Sequence, residues 1–365
     1  MIRAARHLLA MAAAIALVSG SARCVGAAET GAHNDTARFL AGLPPAPTSR
    51  LAAWTSESSW QQHAAGLNAA WGRLEREQLG KIRTWSGDYL GTKRPVLYYM
   101  FSGPDFLYAD AFFPDALTYV LSGLEPVGPV PQVTESNRRS IGRLRNALSS
   151  ILSLSFFKTI SMRSDLGAGA FSGTLPILAV FLARSGKTIE EISLVQLDAS
   201  GAIVAAGAAG SARGVSNGAK IVFSGPDREP RTLYYFQTDV SNSGPGLGAF
   251  LEFCGGLGTG DALVKSASFL MHSDSFSRVR GFLLDRAHAI VQDDSGIPVR
   301  FFRAEEWVLV PFGRYLGPIS LFSGQYQNGL ADLYRRQEPI SLEFGIGYRY
   351  QKSESNLLMA VRKPQ

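Results

Sequence analysis

Short β-branched and aromatic runs alternate along this chain with apolar stripes at helical spacing, and this alternation confines it to a fold of helices packed on sheet. PVLYYMF at 95–101 reads as a buried strand, stopped by SGPD at 102–105. FLYADAFFPDA at 106–116 is a short aromatic helix or irregular piece, and LTYVLSGLE at 117–125 a second strand closed by Pro126 and Gly128. Before them, Trp60, Ala64, Leu67, Trp71, Leu74 and Gln78 recur at spacings of three and four, and Ile82 and Trp85 continue the stripe. That stripe predicts a helix ended by Ser86-Gly87, its Trp rings forming a core face rather than a carbohydrate platform.

Residues 136–154 form a second amphipathic helix, with Ile141, Leu144, Leu148, Ile151 and Leu152 on one side. Its arginines, Arg138, Arg139, Arg143 and Arg145, fall on the solvated face. SLVQLDASGAIV at 193–204 and KIVFSGPDREPRTLYYFQTDV at 220–240 read as hairpins. LPILAVFL at 175–182 is too short an apolar run for periodicity to separate strand from helix. A helix is expected at about 275–291, then strands at WVLVPFG, at FGIGYRY (344–350) and at LLMAVRK (357–363). The fold class is α+β, a mixed and largely antiparallel sheet with packed helices.

The first 27 residues stand apart. A basic start at Arg3 and Arg6, an apolar stretch from Leu8 to Val18 and small residues at 25–28 have the plan of a cleavable secretory signal. Arg23 beside Cys24 is wrong for lipoprotein processing. Cleavage would remove Arg3, Arg6 and Arg23 and no acid, so the formal charge falls from +6 to +3. With no long basic run, a nucleic-acid partner is not expected. Cys254 would be the sole remaining cysteine, which forbids an internal disulfide and demands a conventional core. No apolar run in the mature chain reaches the roughly 18 residues that a membrane span needs. The expected product is a monomer in the periplasm or outside the cell. Residues 28–50, polar and Pro-rich, read as a disordered or extended lead-in, and 51–92 as an N-terminal helical segment.

Two fragments recur: LYYM at 97–100 is echoed by LYYF at 233–236, and FSGPD stands at both 101–105 and 223–227. Arg-Leu-Arg at 143–145 has its counterpart in Arg-Val-Arg at 278–280. Read as an internal duplication, the echo divides the chain into two similar lobes, 93–210 and 211–365. FSGPD does not share the register of the other echoes, which counts against it.

Chemistry is sparse. Gly214-Val215-Ser216-Asn217-Gly218 matches GxSxG, but a strand follows it instead of a helix, so Ser216 is no nucleophile and Asn217-Gly218 reads as a turn. GPGLGA at 244–249 resembles a dinucleotide loop only superficially, because TDVSNS separates it from the preceding strand. No metal or cofactor is assigned. The remaining candidates are acids and one His at chain reversals: Asp105, Glu125, His272, Asp293 and Asp294, with Asp110 and Asp274 nearby. A site, if present, should combine His272 with at least two of these acids at one rim of the sheet. The leading expectation is a non-catalytic exported protein that binds a ligand or envelope component. The alternative is a hydrolase of glycan or peptidoglycan working through paired carboxylates.

Overall fold

The computed structural model describes residues 31–91, 94–154, 171–207 and 216–364. The signal-like segment and Cys24 lie outside the described residues. Ten strands form one mixed sheet in the order β4-β3-β5-β6-β2-β1-β7-β8-β10-β9. They are β1 (Val96–Tyr99), β2 (Thr118–Gly123), β3 (Thr188–Leu197), β4 (Ile203–Ala205) and β5 (Ser216–Ser224), followed by β6 (Pro230–Gln237), β7 (Gly260–Val264), β8 (Ala287–Gln292), β9 (Trp307–Gly313) and β10 (Asn356–Arg362).

The five central strands, β6-β2-β1-β7-β8, pair in parallel. Antiparallel ladders flank them on both sides, made by β3, β4 and β5 at one edge and by β9 and β10 at the other. The sheet is therefore α+β and mixed, with its parallel part gathered in the middle. Both faces of that centre are covered. Leu97 and Tyr99 of β1 join one core cluster while Val96 and Tyr98 join the other, as the two-residue period of a strand dictates. Burial on both faces explains why these strands read as unbroken apolar runs.

Nine helices are described: α1 (31–40), α2 (Ser58–Leu74), α3 (Gly80–Tyr89), α4 (Phe106–Phe112), α5 (Ile141–Leu154), α6 (Leu175–Arg184), α7 (Leu247–Gly256), α8 (Ser277–Arg286) and α9 (Asn328–Arg336). Helices α1 to α6 contribute to the core on one face, α7 and α8 to the core on the other. LPILAVFL resolves as helix α6, with Pro176 in its first turn and Leu175–Ala183 buried throughout.

Three expectations are corrected here. Residues 31–40 are helix rather than lead-in, and Phe39 and Leu40 are fully buried. The α2 stripe receives them: Trp60 Nε1 donates to the Phe39 carbonyl at 3.1 Å, and His63 Nε2 to the Leu40 carbonyl at 2.8 Å. Burial holds His63 down to about 4, so it is neutral at pH 7. The Trp60 stripe also does not stop at Ser86-Gly87; a π turn at Glu75–Leu79 joins α2 to α3, which runs on to Tyr89. FGIGYRY is a loop, not a strand. Gly347 has φ +72 and its Cα lies against the Asp293 carboxylate, where any Cβ would collide. The apparent alternation at 344–350 reflects that close approach, not a pleat.

The duplication is not shown. Both halves run strand–helix–strand–helix, but β1 and β2 are neighbours whereas β6 and β7 are separated by both of them. The α5 residues Leu144 and Leu148 belong to one core, the α8 residues Val279 and Leu283 to the other. β2 pairs with β6 and β1 with β7, so a single sheet crosses the expected division between residues 210 and 211. Likewise Ser216, Asn217 and Gly218 open β5 and form no turn. The helix expected at about 275–291 ends at Arg286, and Ile290 belongs to β8. Among the described residues, no helix is long and apolar enough to cross a membrane.

Candidate functional site

In chain order the parallel strands are arranged third, second, first, fourth and fifth, with the helices of the first two crossovers on one face and those of the last two on the other. The winding of the sheet thus reverses between the parallel neighbours β1 and β7, and the loops leaving their carboxyl ends diverge there. This is the place where doubly wound sheets open a crevice. A cleft of about 320 Å³ lies there, lined by residues that follow β1, β2, β6 and β7, among them Phe101, Gly103, Glu125, Asp239, Ser266 and Phe276.

Behind its wall sits a buried ionic network. Lys265, the first residue after β7, places Nζ 2.9 Å from Asp105 Oδ2 and 3.8 Å from the centre of the Tyr108 ring. The same Asp105 oxygen accepts the Tyr99 hydroxyl at 2.8 Å, and Oδ1 accepts the Tyr108 amide at 3.2 Å, capping α4. Burial pulls the Lys265 ammonium below its ordinary value, while Asp105 and Asp293 push back.

Asp293, the first residue after β8, extends this network to the next loop. Its Oδ1 accepts the Ser295 hydroxyl at 2.5 Å and its Oδ2 the Ser266 amide at 3.1 Å. Burial nevertheless raises its carboxyl above the usual range. The loop it holds is unusual: Ser266, Ser268 and Phe269 have φ of 52°, 52° and 57°. Left-handed non-glycine residues cost energy and persist only where neighbours over-determine them. Here they do. Ser295 Oγ accepts the Ala267 amide at 2.7 Å, and the Tyr348 hydroxyl bonds Ser268 Oγ at 2.8 Å and the Ser266 carbonyl at 2.9 Å. The strained turn lines the cleft.

The structure sorts the sequence candidates as follows. Asp105, Glu125, Asp293 and Asp294 all follow carboxyl ends of parallel strands, on one rim. Of these only Glu125 lines the cleft. Its carboxylate is wedged between Gly103 and Gly123; a Cβ on Gly123 would collide with it and lie 3.1 Å from the Tyr235 hydroxyl. Asp294 is buried without lining the cleft, and desolvation, then the Asp293 charge, push its carboxyl up to about 7. Asp110 pairs with Lys187 at 2.8 Å, away from this set. Asp274 is exposed and meets Arg280.

His272 is corrected. It lies in a separate cleft of about 400 Å³ with Arg300, Gln325 and Gln327. Burial and the Arg300 charge hold it down to about 4. It joins no pair of acids, and no group of three or more metal-ligating side chains occurs among the described residues. A further cleft of about 400 Å³, beside Trp85, Tyr89 and Phe344, holds no buried titratable group.

Lys265, Ser266, Tyr99 and Tyr108 escaped the sequence reading. A lysine directly after a strand of the buried type was the available signal for the first. Comparison with protein-family models, with curated proteins and with solved structures found no match.

Proposed function

We propose that the protein is an exported, periplasmic or extracellular, non-catalytic binding protein whose ligand occupies the cleft between the ends of β1 and β7. The observation that carries this reading is the division of labour at the rim. The groups whose protonation burial shifts, Lys265, Asp293 and Asp294, are buried among partners, while the cleft itself is lined by apolar side chains, hydroxyls and two acids. A mostly apolar concavity with a few placed polar groups suits recognition. Hydrolysis by paired carboxylates has less support. Asp105 is committed to Lys265, and Asp293 and Asp294, as consecutive residues, do not form a facing pair across the cleft.

Leu270 lines the cleft and is 37% exposed, so a larger side chain there fills space without disturbing the core. Ligand-observed NMR with amino acids, amines, nucleotides and simple sugars should find binders that Leu270→Trp loses at unchanged unfolding temperature. Binders retained by Leu270→Trp, or turnover of glycan fragments by the parent protein, would count against the reading.

A further inference from the structure

We propose that the loop at 314–327 is a docking surface for a lipid bilayer with anionic headgroups, which its exposed apolar side chains enter and two flanking arginines hold. The proposal goes beyond the cleft reading and does not depend on it. Three of the five most exposed large apolar side chains among the described residues fall within residues 316–326: Leu321 at 77%, Tyr326 at 54% and Leu316 at 45%. Single exposed apolar residues are ordinary on a protein surface, whereas a cluster marks an interaction site.

The loop cannot turn these side chains inward, because its inner side is already anchored. Phe322, the neighbour of Leu321, packs its ring 5.0 Å from Tyr348 and 5.1 Å from Phe269. Arg349 donates from Nε to the Gly317 carbonyl at 2.7 Å and from Nη2 to the Pro318 carbonyl at 3.3 Å. The Tyr315 hydroxyl accepts the Gln327 amide at 2.9 Å, and the Tyr315 and Tyr326 rings lie 5.5 Å apart. Gly317, at φ +80, passes so close to the Tyr326 ring that a Cβ would lie 3.0 Å from it, which keeps the Leu316 end of the loop against Tyr326.

Charge selects the occupant. From residue 307 to residue 331 the sequence holds no acid and one base, Arg314. Arg300 lines one cleft with Gln325 and Tyr326, and so lies on the other flank. Both arginines are exposed, and neither forms an ion pair among the described residues. Glu354, an acid beside the loop, meets Arg349 at 3.5 Å. Each arginine held at an anionic membrane surface strengthens binding about fivefold, and a tyrosine suits the headgroup level. A protruding leucine needs no preformed groove in a fluid bilayer. A second copy of the chain is disfavoured, because a twofold contact through this loop would set arginine against arginine.

The experiment is flotation of residues 28–365, which contain every described element, with vesicles of equimolar phosphatidylglycerol and phosphatidylcholine or of phosphatidylcholine alone. Omitting residues 1–27 keeps their apolar stretch from binding lipid by itself. The protein should float with the anionic vesicles, do so less as salt is raised, and stay behind with phosphatidylcholine alone. Leu321→Asp should weaken binding about tenfold or more at unchanged unfolding temperature, and Arg300→Gln combined with Arg314→Gln should do so about as much. Ile203→Asp, on strand β4 at the opposite edge of the sheet from β9, should leave binding unchanged. No flotation with anionic vesicles, equal flotation with phosphatidylcholine alone, flotation that survives Leu321→Asp, or an equal loss from Ile203→Asp overturns the proposal. So does a dimer in sedimentation velocity that Leu321→Asp dissolves, which would make the loop a contact between copies.

Discussion

Lys265→Met should cost about 3–5 kcal/mol of unfolding free energy, the loss expected when one partner of a buried pair is removed. The side chains of Lys265 and Asp105 are 1% and 3% exposed, so solvent screening does not soften the change. The substitution leaves Asp105 and Asp293 as buried acids without their cation, beyond the carboxyl ends of β1 and β8. It also removes the charge above the Tyr108 ring. Adding Asp105→Asn should restore a substantial part of the loss, because the amide carries no charge, its oxygen can still accept from the Tyr108 amide, and its NH2 can donate to the Tyr99 hydroxyl oxygen. Denaturant unfolding of the parent, both single variants and the double variant gives the coupling directly. A Lys265→Met loss below about 1 kcal/mol would mean that the pair is solvated and does not anchor the rim.

How much of this was readable beforehand depends on the kind of signal. Strands β1, β2, β5, β6, β9 and β10 were visible because β-branched and aromatic runs end in Gly, Pro or Asp. The stripe at Trp60 was visible because three- and four-residue spacing has one structural meaning. Helix α1 was missed because its buried residues, Ala37, Phe39 and Leu40, are few and sit beside a Pro-rich stretch. FGIGYRY misled because Gly345 and Gly347 mimic the polar positions of an alternating strand while serving close approaches, Gly345 to the Tyr350 backbone and Gly347 to Asp293.

The rim itself was half legible. Asp105, Glu125, Asp293 and Asp294 were picked out as acids at strand ends, and the sheet places them on one edge. Their pairing depends on strand order, and strand order is not a local property. Nothing between residues 99 and 265 announces that β7 returns to lie beside β1. For the same reason the LYYM and LYYF echo suggested a repeat: similar strands were read as similar neighbours. His272 was favoured for its nearness in sequence to Asp274, yet Asp274 is exposed and the ring turns toward Arg300 and Gln325.

Asp294→Asn should stabilise the protein above pH 7 and do so less as the pH falls. Burial, with the neighbouring Asp293 charge, pushes Asp294 from 3.8 up to about 7. Between those values the folded state holds a proton that the unfolded chain has released, so this group's contribution to stability declines as pH rises. Above about 7 the carboxylate is ionised in both states and the full penalty stands, on the order of 4 kcal/mol at 1.36 kcal/mol per unit. An amide carries no such penalty and can still meet Asn356. The parent profile alone would mislead, since His63 and His272, both held at about 4, impose the opposite slope between 4 and 6.5. The quantity to measure is therefore the difference in unfolding free energy between variant and parent from pH 4 to pH 8.5. It should be near zero at the acid end, climb through pH 5 to 7 and level off at a gain of a few kcal/mol. A difference that does not change with pH, or a variant less stable than the parent at pH 8, would mean that Asp294 is ionised and satisfied in the folded state. Any ligand binding in the cleft should be the same in both proteins, because Asp294 does not line it.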